Sequence, residues 1–350
     1  MKVRVGVVGV TGYSGLELLR LLLRHPSVEC AAVMASEATG EKPVAEIHPQ
    51  LRSLTSLSCQ PQDVEHLAAE GVETAFLCTP NEVSHELAPK LLAKGIRVID
   101  LSGSFRLKDA ASYSAWYGFH HAEPNLLEMA VYGLPEWNAR SISGARLVAN
   151  PGCYPTSSLL PLMPLVRAGM LASGSDIFCD SKSGVTGAGR ATRLEMLFGE
   201  VSENFRPYSP ITHRHAPEMC QELGWDPNHF IFVPHLLPVN RGILSTIYVS
   251  FQQPVSVEEI QGEYGRRYGK SPFVRILGNS HLPELRAVNH TNFCDIGWRL
   301  ACGGRRAVIF SAIDNLIKGA AGQAVQNFNL MHEFDERMGL LEGETLAVHG

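Results

Sequence analysis

The chain has 350 residues, 45% of them hydrophobic and 19% charged, which supplies a packed core and favours two domains over one. Its formal net charge is −5 with lysines and arginines scattered, so the concentrated positive field that binds a phosphate backbone is missing and nucleic acid is not an expected partner. The cysteines at 30, 59, 78, 153, 179, 220, 294 and 302 form no CxxC pair, no signal-peptide pattern precedes Val3, and no apolar run approaches the ~20 residues of a membrane span, so a cytoplasmic protein with no membrane role is expected.

Short β-branched runs alternate with helical segments over the first third, the pattern of a parallel sheet built from βαβ units. Strands are predicted near Val3–Val8, Val28–Met34, Thr74–Leu77, Val98–Leu101 and Leu147–Ala149. Between the first two lies a helix from Ser14 to Arg24. Glu17, Arg20 and Arg24 give it a narrow wet stripe, six leucines cover the rest, and Pro26 stops it. After residue 153 longer strands are predicted around Asp176–Asp180, Phe230–Val233, Leu244–Phe251, Phe273–Leu277 and Ala307–Ala312, which reads as an α+β domain with a mostly antiparallel sheet. An amphipathic helix from Asn315 to His332 is expected to pack back on the first domain. The expected fold is therefore α/β: a Rossmann-type parallel-sheet domain over 1–150 and an α+β domain over 151–314.

Gly9, Gly12 and Gly15 follow the first strand and open the first helix, where glycines permit a tight turn and close approach of backbone to pyrophosphate. The spacing is GxxGxxG, with Val10 where the stricter motif has glycine. Thr11, Tyr13 and Ser14 add backbone and hydroxyl donors for the same phosphates. The second strand ends at Ser36; a neutral donor there, where an acid would serve a ribose 2′-hydroxyl, favours NADP over NAD, although Glu37 is adjacent. Thr79 and Pro80 follow the Thr74–Leu77 strand at the carboxyl edge of the sheet, where ligands to such folds collect, whereas Cys78 reads as structural. Arg106, just beyond Asp100-Leu101-Ser102, could clamp a carboxylate or phosphate.

Cys153 stands in Asn150-Pro151-Gly152-Cys153-Tyr154-Pro155-Thr156, between a strand-like run and a leucine-rich helical run. The first turn of a helix carries unpaired N–H groups and partial positive charge, which biases a thiol there toward the nucleophilic thiolate; most of the eight cysteines read instead as small buried hydrophobes. His213-Arg214-His215-Ala216-Pro217-Glu218 is the densest source of a partner for it. Either histidine could shuttle a proton, and Glu218 could orient it or hold a substrate amide or ammonium. No Cys/His/Asp set stands at ligand spacing beside the doublet, and no metal is expected. Lys182 and Arg190 flank the glycine-rich Ser183–Gly189. That stretch reads either as a flexible surface loop or as a working one, with Lys182 near substrate and Gly184 near cofactor.

Four motifs in this order, Gly9–Gly15, Asn150–Thr156, His213–Glu218 and Asp314–Gln323, resemble the N-acetyl-γ-glutamyl-phosphate reductases of arginine biosynthesis along essentially the whole chain. The resemblance implies an architecture of the aspartate-semialdehyde dehydrogenase type, with 315–350 completing the 1–150 domain and 151–314 as the catalytic, substrate and oligomerisation domain, and a homo-oligomer, dimer or tetramer. It further implies NADPH-dependent reduction of a small acyl phosphate to an aldehyde through a Cys153 thioester. By that analogy His213 or His215 is the acid/base, Arg106 and Arg214 hold anionic substrate groups, and Asn315 approaches the nicotinamide. The family pattern leads one to expect an acid at 104, where this chain has serine. A sister reductase of an aminoadipyl derivative or of aspartyl phosphate, a non-catalytic NADP-binding sensor, and an acyltransferase using the thiol without hydride transfer are the alternatives.

Overall fold

The computed structural model describes residues 2–341, so 342–350 of the expected carboxyl-terminal completion lie outside the described residues. The chain divides into two compact units, one formed by Met1–Pro151 with Ala320–Gly350 and the other by Gly152–Gly319.

The first unit holds an eight-stranded sheet: β1 (Val3–Val8), β2 (Val28–Ala35), β3 (Lys42–Pro43), β4 (Ser58–Pro61), β5 (Thr74–Leu77), β6 (Arg97–Asp100), β7 (Val131–Tyr132) and β8 (Leu147–Ala149). Their order is β3-β4-β2-β1-β5-β6-β8-β7, and every pairing is parallel except β3 with β4. The central strands are continuous apolar runs because both sheet faces are covered. One face packs on Leu18, Leu19 and Phe328, the other on Leu91, Phe105 and Tyr113. Among its helices are α1 (Tyr13–Arg24), α2 (Asn81–Ala93) and α3 (Pro135–Ser143).

Two expectations change here. Glu17 is buried instead of lining a wet stripe on α1; it pairs with Arg20, three residues on at 3.4 Å, and the hydrated edge of the helix begins at that arginine. The carboxyl-terminal segment begins as a π-helical turn, Ile317–Ala321, and only Gly322–Met331 is a regular helix. Its polar positions suggested an amphipathic face, yet Gln326, Asn327 and Asn329 are buried. Each has internal partners: Asn327 donates to Gly133 O and Asn150 Oδ1, both at 2.9 Å, Asn329 donates to Met338 O and contacts His25 Nε2, and Gln326 reaches Glu136 and Glu336. A polar stripe signals solvent only where no internal partner exists, and here it marks internal wiring.

The second unit holds β9 (Ile177–Gly184), β10 (Arg206–Pro207), β11 (Phe230–Leu237), β12 (Ile243–Ser250), β13 (Val274–Gly278), β14 (Cys294–Ala301) and β15 (Arg306–Ile313) in the order β10-β11-β9-β12-β15-β14-β13. Pairing is mixed and largely antiparallel, with β11–β9 and β13–β14 parallel. The sequence reading missed β14, because Asp295, Gly297 and Arg299 interrupt its apolar pattern; Asp295 is tolerated in the core since Arg275 meets both its oxygens, at 2.5 and 2.9 Å.

Against this sheet lie α4 (Cys153–Arg167), α5 (His215–Leu223) and α6 (Val257–Tyr268). Helix α4 is buried from Tyr154 to Leu165 despite Pro161 and Pro164 inside it. Pro164 has no N–H for the Leu160 carbonyl four residues back, and the Tyr268 hydroxyl of α6 donates to that carbonyl instead at 2.5 Å. The missing helical bond is thereby replaced by a tertiary one.

Candidate active site

In the first unit Gly9 has φ +88°, and a Cβ there would stand 2.4 Å from Cys78 O. Both the dihedral and the space demand glycine. Gly15 is equally constrained, since its Cβ would meet Gly9 O at 2.5 Å, whereas the nearest atom to a Cβ on Gly12 is 3.8 Å away. The loop is hung from β2 by Gly9 N–H and Val10 N–H, both donating to Met34 O, and is braced by buried His48, whose Nε2 lies 2.8 Å from Val10 O. Val10 itself is fully buried, which is why the chain departs from GxGxxG at that position. Thr11, Gly12, Tyr13 and Ser14 remain half-exposed, and no acidic side chain occupies the first turn of α1. The turn therefore presents helix N–H groups on an open side, the arrangement that accepts an anion.

Ser36 is exposed at the end of β2, with Thr39 Oγ1 3.4 Å from its hydroxyl. Thr79 is buried and its hydroxyl pairs with Ser84 at 2.7 Å, while Pro80 is exposed and leads into α2. Burial, then Asp100, pushes the Cys78 thiol up, in keeping with a structural cysteine.

Arg106 is buried, its Nε donating to Asn150 O at 2.8 Å and its Nη2 to Leu101 O at 2.9 Å. The anionic group near it is Asp100, fully buried and bonded by Ser102 N and Oγ. Burial still holds the Asp100 carboxyl above the usual carboxylate range. Ser104, where an acid was expected, is also fully buried; its hydroxyl joins Ser102 Oγ at 2.9 Å and donates to Asn81 O. A charge at 104 would have stood in the same pocket as Asp100, and the serine completes a hydroxyl chain in its place.

In the second unit Cys153 is the first residue of α4 and is half-buried. Ahead of it, Gly152 N–H donates to Glu218 Oε1 at 2.9 Å; behind it, Thr156 N and Oγ1 both donate to Gly152 O. Glu218 is fully buried on α5. Several other cysteines fit the structural reading: burial pushes Cys30 and Cys220 up to about 12 and raises Cys59 and Cys179.

His213 is half-buried and enclosed by edge contacts from Tyr154, Tyr208, His215 and Phe232, with ring centroids 4.7–5.6 Å away. Its Nδ1 accepts the His215 backbone N–H at 3.1 Å, which leaves the proton of the neutral ring on Nε2. Burial, then the Arg214 charge, lowers its pKa to about 4, so at neutral pH it is a neutral imidazole with an Nε2–H to donate. His215 is buried at the start of α5, and Arg214 before it is exposed.

The remaining predicted residues have visible local partners. Lys182 pairs with Asp180 at 2.7 Å, two residues back on the same face of β9. The first half of the Ser183–Gly189 stretch is anchored, with Gly184 N–H donating to Gly242 O, Val185 N–H to Val239 O and Thr186 N–H to Asn240 O, whereas Gly187 and Gly189 are exposed. A Cβ on Gly184 would meet Arg241 N at 2.7 Å, so its glycine content serves close packing. Asn315 stitches the same region, donating to Thr186 Oγ1 at 3.0 Å and accepting from Gly242 N at 2.8 Å. Sequence reading missed Gly319, whose Cβ would lie 2.7 Å from Cys153 Cβ; its only signal was a glycine in the Asp314–Gln323 motif. Tyr208 and Phe232 gave no signal at all. Among the described residues no group of three or more His, Cys, Asp or Glu side chains could hold a metal ion.

A glycine turn on a parallel sheet, joined in one chain to a mixed sheet whose helix begins at a cysteine, defines the semialdehyde dehydrogenase class. The semialdehyde dehydrogenase NAD binding domain matches residues 4–145, and the dimerisation domain of the same class matches 153–315. Aspartate semialdehyde dehydrogenase II from Vibrio cholerae, complexed with ASA, superposes with a TM-score of 0.72 over 95% of this chain and 99% of that one at 19% identity. The Candida albicans aspartate semialdehyde dehydrogenase with NADP gives 0.69 at 16% identity over 95% of this chain and 99% of that one; such identities speak to fold alone.

The finer relationship lies in sequence. Proteins named N-acetyl-gamma-glutamyl-phosphate reductase from Halorhodospira halophila and Neisseria gonorrhoeae are 46% and 44% identical to this chain over 97% of its length and 98% and 97% of theirs. The chain belongs to the N-acetyl-γ-glutamyl-phosphate reductase family.

Proposed function

We propose that the protein reduces N-acetyl-γ-glutamyl phosphate to N-acetylglutamate 5-semialdehyde and inorganic phosphate, using NADPH and a thioester on Cys153. The observation that carries this reading is the placement of Cys153 as the first residue of a buried α-helix, half-exposed while other thiols are suppressed by burial. The N–H groups and dipole at the start of that helix favour thiolate over thiol. The thiolate attacks the γ-acyl carbon, a C–S bond forms, the C–O bond to phosphate breaks, and phosphate leaves with its electron pair. NADPH supplies the hydride that reduces the thioester carbonyl. The resulting thiohemiacetal collapses to aldehyde, and its C–S electron pair returns to Cys153. His213, or His215 beside it, carries the proton between thiol and reacting oxygen. Arg214, exposed, and Arg106 hold anionic substrate groups; Glu218 and Lys182 complete the substrate side.

The Gly9–Gly15 turn fits a dinucleotide, because Gly9 and Gly15 are forced by packing and the first turn of α1 carries no acidic side chain. Thr11, Tyr13 and Ser14 would sit beside the phosphates and Thr79 and Pro80 at the sheet edge. Ser36, with Thr39 beside it, would receive a 2′-phosphate, so NADP is the cofactor. Gly184 and Asn315 would complete the nicotinamide side. Residues 1–151 with the chain from 320 onward would form the cofactor domain, and 152–319 the catalytic and oligomerisation domain. The second sheet has a face carrying exposed Phe178 and Tyr248, 43% and 45% accessible, and a homo-oligomer would cover it. No described helix is long and apolar enough to cross a membrane, and together with eight cysteines outside any disulfide this supports a cytoplasmic enzyme.

Mixing enzyme with N-acetyl-γ-glutamyl phosphate without NADPH is expected to release one phosphate per site and add the acyl mass to Cys153; added NADPH then yields aldehyde. Phosphate release without a Cys153 adduct sinks the thioester. Turnover of aspartyl phosphate but not of N-acetyl-γ-glutamyl phosphate sinks the substrate.

A further inference from the structure

Tyr208 lies outside all four motifs, yet it is fixed from several directions. The short strand β10 pairs with β11 just before it, its backbone N–H donates to Pro234 O at 3.0 Å, and Ile211 N–H after it donates to Phe232 O. The turn that follows holds Ser209 and Ile211 at φ +44° and +65°, a conformation non-glycine residues adopt only under constraint. The Tyr208 hydroxyl donates to Tyr154 Oη at 2.8 Å, and its ring meets His213 edge-on at 5.6 Å. Tyr154 follows Cys153 on α4 and is itself 2% accessible, with Ser183 and Cys153 among the groups acting on its hydroxyl.

We propose that Tyr208 is a positioning residue for the nucleophile and its histidine. Its hydroxyl anchors Tyr154, and so the first turn of α4 that carries Cys153, while its ring walls His213 from water. This rests on the reading of Cys153 and His213 above. The groups facing His213 are Tyr154 from α4, Tyr208 and Phe232 from the β10–β11 side, and His215 and charged Arg214 from its own segment. Burial is the largest influence on the His213 ring, so removing a wall lets its pKa rise from about 4 toward the ordinary 6.5.

Two substitutions separate ring from hydroxyl. In Tyr208→Ala the NMR titration midpoint of His213, and the acid limb of kcat/KM, should both move up by about one pH unit. Tyr208→Phe should leave both in place while slowing alkylation of Cys153 by iodoacetamide, and kcat, roughly 3–10-fold, the effect of one lost hydrogen bond. Should alanine impair folding, Tyr208→Leu keeps a bulky apolar wall and is expected to shift the midpoint by less than half as much. An unmoved His213 midpoint in both Tyr208→Ala and Tyr208→Leu overturns the proposal, as does wild-type alkylation and kcat in Tyr208→Phe. The titration and alkylation need no substrate, so a wild-type enzyme inert toward N-acetyl-γ-glutamyl phosphate would refute the assigned reaction and leave these two results standing.

Discussion

The turn at Gly9–Gly15 and the surroundings of Cys153 are built on different plans. In the turn, one short stretch of chain carries most of it: Gly9 and Gly15 are held by close backbone, the hydroxyls stand beside them, and Met34, His48 and Cys78 are the groups that brace it from elsewhere. Around Cys153 the groups come from separated segments, with Glu218 on Gly152 N–H, Gly319 against the Cys153 side chain, and Tyr154, Tyr208 and Phe232 closing on His213. A site made of consecutive residues is specified by local backbone geometry. One made of dispersed residues depends on the packing that brings them together, and it should fail in more graded ways.

The sharpest break in the comparison is Cys153→Ala, which should lower reduction of the acyl phosphate by on the order of 10³-fold or more while NADPH binding, measured by fluorescence, stays as in wild type. Retained turnover would remove the nucleophile from the scheme. Next comes Gly9→Ala. Its φ of +88° and the Cβ contact at 2.4 Å from Cys78 O should cost about 2–4 kcal/mol of stability in urea titration, with NADPH binding lost as well. A wild-type midpoint there would mean the turn is not fixed by its own backbone.

Gly319→Ala tests the dispersed site with a single methyl group. The added carbon presses on Cys153 Cβ, and overpacking of about 1–3 kcal/mol should appear mainly as a roughly 10-fold or larger fall in kcat, with little change in NADPH affinity. Equal losses in both would show that the two regions do not fail independently. Smaller still is Ser36→Glu, expected to weaken NADPH relative to NADH by about 10-fold through like charge at the ribose position, leaving aldehyde formation per bound cofactor intact. An unchanged preference would move 2′-phosphate recognition away from the end of β2.

Acid should erode both units together. Burial lowers His121, His213 and His332 to about 4 from 6.5. The unfolded chain therefore binds more protons than the folded one between those values, so the stability these neutral rings contribute is complete above pH 6.5 and is lost as pH falls toward 4. Thermal unfolding midpoints should decline across that window; a flat profile would show that these rings are hydrated in solution.

Much of the first unit was legible because parallel strands covered on both faces are continuous apolar runs, and all five expected strands there are present. What escaped were β3, β4, β7 and β10, each of four residues or fewer, and in the second unit also β14, whose Asp295 hides an otherwise apolar strand until Arg275 is placed opposite it. Similar reasoning failed at Glu17 and along Gly322–Met331, where charged and amide side chains read as solvent-facing. Polarity in a sequence does not distinguish water from an internal hydrogen-bond partner.

What the amino-acid order determined by itself was whatever backbone geometry and short-range pattern enforce: the glycine turn after β1, the strands of the parallel sheet, and a cysteine at the first turn of a helix. Tertiary structure alone decided which distant groups surround that cysteine, that Gly319 leaves room for it, that Glu218 occupies the N–H ahead of it, and that Tyr208 stands against His213. The physical reason is range. Dihedral preference and side-chain periodicity act over a few residues, whereas burial, and the hydrogen bonds that burial makes obligatory, are fixed only once remote segments have packed.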